Sequence, residues 1–301
     1  MMRLKADLSL LLVTLGWGVS YILIDICLSE LPPFTLNAWR FLGAFFVAFL
    51  LSSKRLIRIG RDTLKYSAYI GVALLFVYSG ATFGVMYTSL SNAGFLCGLT
   101  VIFTPLLGLL VFRKRPDAKL VAAVVMALAG IGLLTLKDDL RFASGDVFCI
   151  MAALSYAVDL LVTERAVKKP SVDAFGLGVY QLGFTGLFML IAALIFETPH
   201  PPVYPGTWGA LIFLTVFCTG IAFIVQAVAQ QYTDASRVGV IFTLEPVFAG
   251  VAARVFAGEV LSGRATLGAV LLLCSLFFIE IDFRKLRSAL KKVRRRGSLD
   301  K

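Results

Sequence analysis

Tyr87-Thr88-Ser89-Leu90-Ser91-Asn92-Ala93-Gly94 returns as Tyr232-Thr233-Asp234-Ala235-Ser236-Arg237-Val238-Gly239, identical at Tyr, Thr, Ser and Gly and shifted by 145 positions (Tyr87 to Tyr232). The same shift relates Pro105 to Gly250 and Lys119 to Arg264. A companion match sets Asp7-Leu8 and Gly16-Trp17-Gly18 against Asp146-Val147 and Ser155-Tyr156-Ala157, shifted by 139 positions (Asp7 to Asp146). A chain that repeats itself once along its length is built from two halves.

Around these matches the sequence is overwhelmingly apolar. The 301 residues are 59% hydrophobic and 16% charged, against about 25% charged in soluble domains. Run after run extends for about 20 residues with one charge or none, the length that spans a bilayer's hydrocarbon. Turn and charge punctuation divides them into ten predicted spans, at 6–28, 34–52, 64–87, 92–112, 118–136, 143–163, 172–196, 207–230, 235–257 and 264–282. The fold class expected is all-α integral membrane: ten transmembrane helices as two five-helix repeats around a central cavity, over 1–139 and 140–283, followed by a basic tail at 284–301.

The basic residues test that topology. With a cytoplasmic N-terminus, 24 of the 29 Lys and Arg fall at the N-terminus, in the loops at 54–65, 113–119 and 165–169, at Arg237 and in the tail. Only Lys137, Arg141 and Arg264 fall outside, with Arg40 and Arg254 inside spans. Cationic loops stay on the cytoplasmic side during insertion, so both termini are expected there, in a plasma or bacterial inner membrane. Five spans per half is odd, so the second half crosses in the opposite sense to the first. Such inverted repeats allow two nearly equivalent conformations, one open to each side.

The net charge of +11 reports this orientation, not a nucleic-acid partner. In the tail, eight basic residues stand in the thirteen positions 284–296, a segment that attracts anionic lipid headgroups. Cys27, Cys97, Cys149, Cys218 and Cys274 are scattered without a C-x-x-C pair, and His200 is the single histidine, in a Pro-rich loop. No histidine metal site can be assembled and no cofactor is expected. Met1-Met2-Arg3-Leu4-Lys5 resembles the start of a signal peptide, but no small-residue cleavage motif follows, so the first span is read as retained.

Several short motifs then fall in order: Gly16-Trp17-Gly18, Ala38-Trp39-Arg40-Phe41, 88–96 at the start of the fourth span, Leu244-Glu245-Pro246-Val247, and Gly258-Glu259. In this order and spacing the chain resembles the EamA-type family of the drug/metabolite transporter superfamily, over nearly its whole length. That resemblance implies two EamA repeats and the export or exchange of amino acids or similar small metabolites through a central cavity. Where many members have Gly-Glu-Arg after the fourth helix, this chain has Arg113-Lys114-Arg115-Pro116.

Ionisable groups within hydrocarbon are costly, so each one present asks for a reason. Thr14, Trp17, Tyr21 and Asp25 share one face of the first helix, either as a cavity wall or as interhelical packing with a polar tip. Glu245 precedes Pro246, whose missing N–H releases the carbonyl of Phe242. The spot could hold a proton or an ammonium group, or Glu245 could be a neutral structural donor. Asp25 and Arg40 lie in the outer thirds of neighbouring helices, as an extracellular gate or a structural ion pair. Arg254 points away from Glu245. Asp159, with Ser155 and Thr163, gives the sixth helix a polar face. Tyr78 with Thr82, Gln181 with Thr185, and Thr219, Gln226 and Gln230 form similar stripes, which can equally be hydrogen bonds joining helices. The candidate substrate set is Trp17, Tyr21, Tyr78, Thr82, Tyr156, Gln181, Gln226 and Glu245. The candidate coupling or gating set is Asp25, Arg40, Asp159, Pro105 and Pro246.

The absence of a G-x-x-x-x-G-K-[ST] loop points to a gradient as the energy source. A membrane-embedded enzyme such as a lipid-linked transferase would need clustered carboxylates or a nucleophile with a base. The one acidic pair, Asp138-Asp139, has no histidine beside it. A channel or receptor would not need inverted halves.

Overall fold

The structure, a computed structural model, describes residues 2–88, 90–135, 143–257 and 262–280, without the side chains of residues 21, 85, 90–92, 253–257 and 280. Lys137, Asp138, Asp139, Arg141, Gly258-Glu259 and the basic tail therefore lie outside the described residues, as do the side chains of Tyr21 and Arg254.

Among the described residues every regular element is a helix. The segments are α1 (Met2–Leu28), α2 (Pro33–Leu56), α3 (Arg61–Tyr87), α4a (Leu90–Gly98) with α4b (Thr100–Phe112), α5 (Ala118–Thr135), α6 (Ser144–Val167), α7 (Ala174–Phe196), α8 (Pro205–Ala229), α9a (Ala235–Phe242) with α9b (Glu245–Ala257), and α10 (Gly263–Glu280). Eight of these are long and apolar enough to cross a membrane, and α1 makes a ninth when counted across its 43° bend. The apolar run of α10, Gly263–Ile279, is shorter. Leu50, Leu51 and Phe196 are more than 70% exposed, as side chains facing lipid are. The chain is a multi-pass integral membrane protein.

Local chemistry sets the helix ends. Pro32 is extended and Pro33 opens α2, where a missing N–H costs nothing. Arg113 ends α4b in the left-handed region at φ 52°, letting the Lys114 amide bond back to the Gly108 carbonyl at 3.1 Å. Asp173 caps α7 by accepting from the Gly176 amide at 2.5 Å.

Three departures from uninterrupted helices matter for the centre of the bundle. Thr243 and Leu244 interrupt α9 with short-range bonds, Thr243 N–H to the Val240 carbonyl at 3.3 Å and Leu244 N–H to Ile241 at 3.1 Å. Leu99 interrupts α4, its N–H reaching only to Leu96 at 3.2 Å. Leu99 and Leu244 are equivalent under the 145-position shift, whereas Pro105 and Pro246 are not. Proline chemistry alone therefore does not place the breaks. The third departure is a π-helical run, Leu214–Ile221, inside α8.

Packing follows a two-fold scheme. α1 lies against α8 and α9, and α6 lies against α3 and α4; α2 pairs with α7, and α5 with α10. Each contact maps onto another, or onto itself, when helix n is exchanged with helix n+5. Glycines allow the closest crossings: a Cβ on Gly18 would stand 2.6 Å from the Phe248 Cβ on α9b. In the α5/α10 pair a Cβ on Gly268 would stand 2.6 Å from both the Gly130 carbonyl oxygen and the Leu134 nitrogen.

Candidate functional site

At the middle of the bundle α1, α2, α3, α6, α8 and α9 converge on Trp17. The indole is 5% exposed and its Nε1 donates to the Cys218 carbonyl at 2.8 Å. That carbonyl belongs to the π-helical run and also accepts from Arg40 Nη2 at 3.3 Å. π-bulges free backbone groups from the regular ladder and recur at functional sites. Around the indole stand Phe242 at 4.8 Å edge-on, Phe223 at 5.8 Å and Tyr156 at 6.3 Å between ring centroids. Tyr156 and Phe242 are themselves stacked, 6.0 Å apart and 8° from parallel.

Arg40 is 2% exposed. Its Nε donates to Thr219 Oγ1, and its guanidinium lies 5.0 Å from the Tyr78 ring centroid. Tyr78 packs edge-on to Phe41 at 4.8 Å, and the Thr82 hydroxyl bonds back to the Tyr78 carbonyl at 2.7 Å. The expected Asp25–Arg40 pairing is not what forms: Asp25 is exposed at the outer end of α1, while Arg40 turns inward to α8 and Tyr78. Position along two helices fixed the depth of these groups but not the direction in which they point.

On the other side of the aromatic cluster runs a polar chain. The Tyr156 hydroxyl donates to Gln226 Oε1 at 3.2 Å, and Gln226 Nε2 donates to Asp159 Oδ2 at 2.9 Å. Asp159 is fully buried. Gln181 Nε2 donates to the Phe223 carbonyl at 3.3 Å, and Thr185 to the Gln181 carbonyl at 2.7 Å. Glu245 opens α9b beside Pro246 and lies within electrostatic reach of Tyr78, Tyr156 and Cys218. Its carboxylate thus sits at the N-terminal end of a half-helix, where amide dipoles favour negative charge. Thr14 is fully buried and bonds back to Leu10 at 2.8 Å, so the α1 stripe is packed at that end and exposed at Asp25. Pro105 lies within α4b and lines the cavity described next.

At the end of the bundle that holds the N-terminus opens a cavity of about 1030 Å³, walled by charged residues including Arg3, Asp7, Lys114, Glu164, Asp234 and Arg237. Arg237 Nε and Nη2 both lie 3.1 Å from Asp7 Oδ2, and its Nη1 donates to the Ile279 carbonyl at 3.0 Å. Glu164 Oε1 accepts from Lys168 at 2.5 Å and Lys114 at 3.1 Å; Asp234 Oδ1 accepts from the same lysines at 3.2 and 2.9 Å. Burial works against the Asp234 carboxylate, yet the lysine hydrogen bonds and charges outweigh it and hold the carboxyl well below its ordinary range. Burial likewise opposes the Lys114 ammonium, and Asp234 and Glu164 overcome it and raise the lysine above its ordinary value. At the opposite end Glu197, following α7, accepts from the Phe34 and Thr35 amides at 2.8 and 2.7 Å and so caps α2.

Sequence reasoning missed Asp7, Glu164 and Arg237 as interacting groups. The signal available was the placement of Asp7 and Arg237 inside the repeated motifs. It also missed Phe41, Cys218, Phe223 and Phe242, which nothing in an apolar run distinguishes from lipid-facing neighbours.

A broken-helix pair facing an aromatic and polar centre is a transporter's arrangement, and the family model of EamA-like transporters matches the chain twice, over residues 4–136 and 143–281. The chain belongs to the EamA-like transporter family. It is 29% identical over 284 residues to a protein of Archaeoglobus fulgidus named as an uncharacterized transporter, covering 93% of this chain and 87% of that one. It is 25% identical over 296 residues to a probable amino-acid metabolite efflux pump of Salmonella typhimurium, covering 93% of this chain and 96% of the pump. A similarly named pump of Escherichia coli is 23% identical over 308 residues, covering 96% of this chain and 99% of that one. A protein of known crystal structure shares the fold at a TM-score of 0.79 and 20% identity, covering 94% of this chain and 98% of that one. Family and relatives alike are transporters, not enzymes.

Proposed function

We propose that this EamA-like protein is a secondary carrier that exports or exchanges amino acids or similar small metabolites by alternating access. It crosses the inner membrane ten times, as two inverted five-helix repeats with both termini in the cytoplasm. The observation that supports this most is the pair of helix breaks at repeat-equivalent Leu99 and Leu244, set within a packing scheme that exchanges helix n with helix n+5. A half-helix that can pivot in each repeat is what two oppositely facing open states require.

The substrate site is the aromatic and polar centre: Trp17, Tyr78 and Tyr156 supply ring faces, Gln181 and Gln226 supply amides, and Thr82 adjoins Tyr78; Tyr21 is assigned to it from the sequence, four residues beyond Trp17 on the same helix. Glu245 receives the substrate's ammonium group and Arg40 faces its carboxylate, opposite charges held apart by the Tyr78 ring. Amino acids are the favoured class because two relatives carry that name and because an acid and a base flank one cluster of rings. The test is counterflow of radiolabelled amino acids in proteoliposomes. The parent protein is expected to exchange at least one of them, and Glu245→Gln to lose most of that exchange. Exchange by Glu245→Gln equal to the parent at every pH would remove Glu245 from the site.

A further inference from the structure

Asp159 is the most deeply buried acid of the described helices, and it is not alone. Its Oδ2 is held by Gln226, while Oδ1 has no well-formed hydrogen bond to a protein group. Thr163, one turn further along α6, is within hydrogen-bonding reach of the same carboxyl, and its hydroxyl has no other side-chain or backbone partner. Across from them, at the residue that ends α8, Gln230 donates from Nε2 to the Leu160 carbonyl at 2.9 Å and leaves Oε1 without a protein donor. Thr233, just beyond α8, repeats the pattern with its Oγ1. All four side chains are at most 4% exposed. Buried polar atoms are nearly always satisfied, so an unpaired one in a native fold has a reason. These four lie along two segments that run side by side, as the bonds from Gln226 to Asp159, Gln230 to Leu160 and Ala235 to Glu164 show.

The series has two definite ends. One is the Asp159 carboxyl at the centre of the bundle, tied through Gln226 to Tyr156 of the substrate cluster. The other is the Ala235 amide bonded to Glu164 Oε2 at 2.8 Å, where Glu164 and Asp234 line the charged cavity. The series thus joins the middle of the membrane to an aqueous mouth through hydroxyl and amide oxygens.

We propose that Asp159 carries the coupling proton of this transporter, and that Thr163, Gln230 and Thr233 form the route by which that proton reaches the cytoplasmic cavity. This rests on the carrier reading above and assigns its energy source. Loaded, Asp159 is a neutral carboxylic acid; it returns to the carboxylate when its proton passes along the route and is released beside Glu164. The charged and titratable groups around it are Tyr156 on α6, Tyr78 on α3 with Arg40 of α2 over its ring, Glu245 of α9b within reach of both tyrosines, and Glu164, Lys168, Lys114 and Asp234 at the mouth. Gln226, its direct partner on α8, is neutral, and so leaves a carboxyl free to take either state. Proton loading at Asp159 and ammonium binding at Glu245 then act on the same aromatic cluster, since both acids lie within electrostatic reach of Tyr78 and Tyr156.

Two measurements test this. Reconstituted protein, taken through a pH titration by infrared difference spectroscopy, is expected to show the carbonyl stretch of a protonated carboxyl that persists in Glu245→Gln and vanishes in Asp159→Asn. No amino acid is needed for this readout, so it stands even if the carrier reading fails. The second uses a mixture of radiolabelled amino acids in proteoliposomes with an imposed pH gradient. The parent is expected to accumulate label; Thr163→Val and Thr233→Val are expected to slow that accumulation several-fold while keeping counterflow at equal pH. Asp159→Asn is expected to accumulate no more than protein-free vesicles. A titrating band unchanged in Asp159→Asn, or gradient-driven accumulation by that variant equal to the parent, overturns the proposal. Absence of counterflow in the parent would instead overturn the amino-acid carrier reading and leave the spectroscopic test to decide the proton site.

Discussion

Trp17 combines a hydrogen bond with three ring contacts, and the two contributions can be separated by substitution. Trp17→Phe keeps an aromatic ring among Phe242, Phe223 and Tyr156 but removes the donor to the Cys218 carbonyl. Hydrogen bonds between membrane helices contribute only about 0.6 kcal/mol on average, so a loss of about 1 kcal/mol or less is expected. Trp17→Ala also removes the packing and is expected to cost about 3 to 5 kcal/mol. Unfolding of the purified protein in mixed micelles measures both, and equal losses would show that the hydrogen bond dominates. Much of this cluster was legible at the level of residue types, since Trp17, Tyr78, Tyr156 and Gln226 are unusual in apolar runs and attract attention. Phe223 and Phe242 are not unusual there, and only three-dimensional convergence distinguishes them. Arg40 was legible as a cost but not in its partner: its guanidinium could turn toward Asp25 or toward α8, and the open carbonyl of the π-helical run decided it.

Among the elements, apolar length alone located nearly every helix, because a spanning segment must satisfy its own backbone hydrogen bonds. The interruptions were harder to read. Pro246 announced a weak point in α9, but Leu99 breaks α4 with no proline within the usual reach. The π-helical run in α8 has no residue signature at all. Helix crossings offer a sharper test. Gly268→Val would drive a side chain into the backbone of α5 at Gly130 and Leu134, and is expected to cost about 1 to 3 kcal/mol as overpacking. Gly209 in α8 has nothing within 4 Å of the place a Cβ would occupy, so Gly209→Ala is expected to be neutral or slightly stabilising. Denaturation curves in which both substitutions behave alike would refute the close α5/α10 contact.

Over the whole molecule, the elements around the mouth that holds the N-terminus are tied together by side-chain charge. The Asp234 carboxyl is depressed in the folded state, so its contribution is present above the unfolded carboxyl value of about 3.9 and fades as pH falls below it. Lys114 is raised, so its contribution is present up to the unfolded lysine value of about 10.4 and fades above that. The melting temperature gap between the parent and Asp234→Asn is therefore expected to stay constant from about pH 5 to 9 and to shrink below about pH 4. A gap that widened in acid would mean that Asp234 is not held by the lysines. This network was illegible in the sequence, where Lys114, Lys168 and Asp234 read only as loop charges that fix orientation. The opposite mouth is built differently, with Glu197 bonded to backbone amides of α2. Ions in solution weaken exposed charge pairs far more than bonds to a helix end. The two ends of the bundle are thus tied by unlike contacts, so salt is expected to loosen the charged end while leaving the Glu197 end almost untouched. If the alternating-access proposal holds, apparent affinity is expected to respond to salt on one face and not on the other.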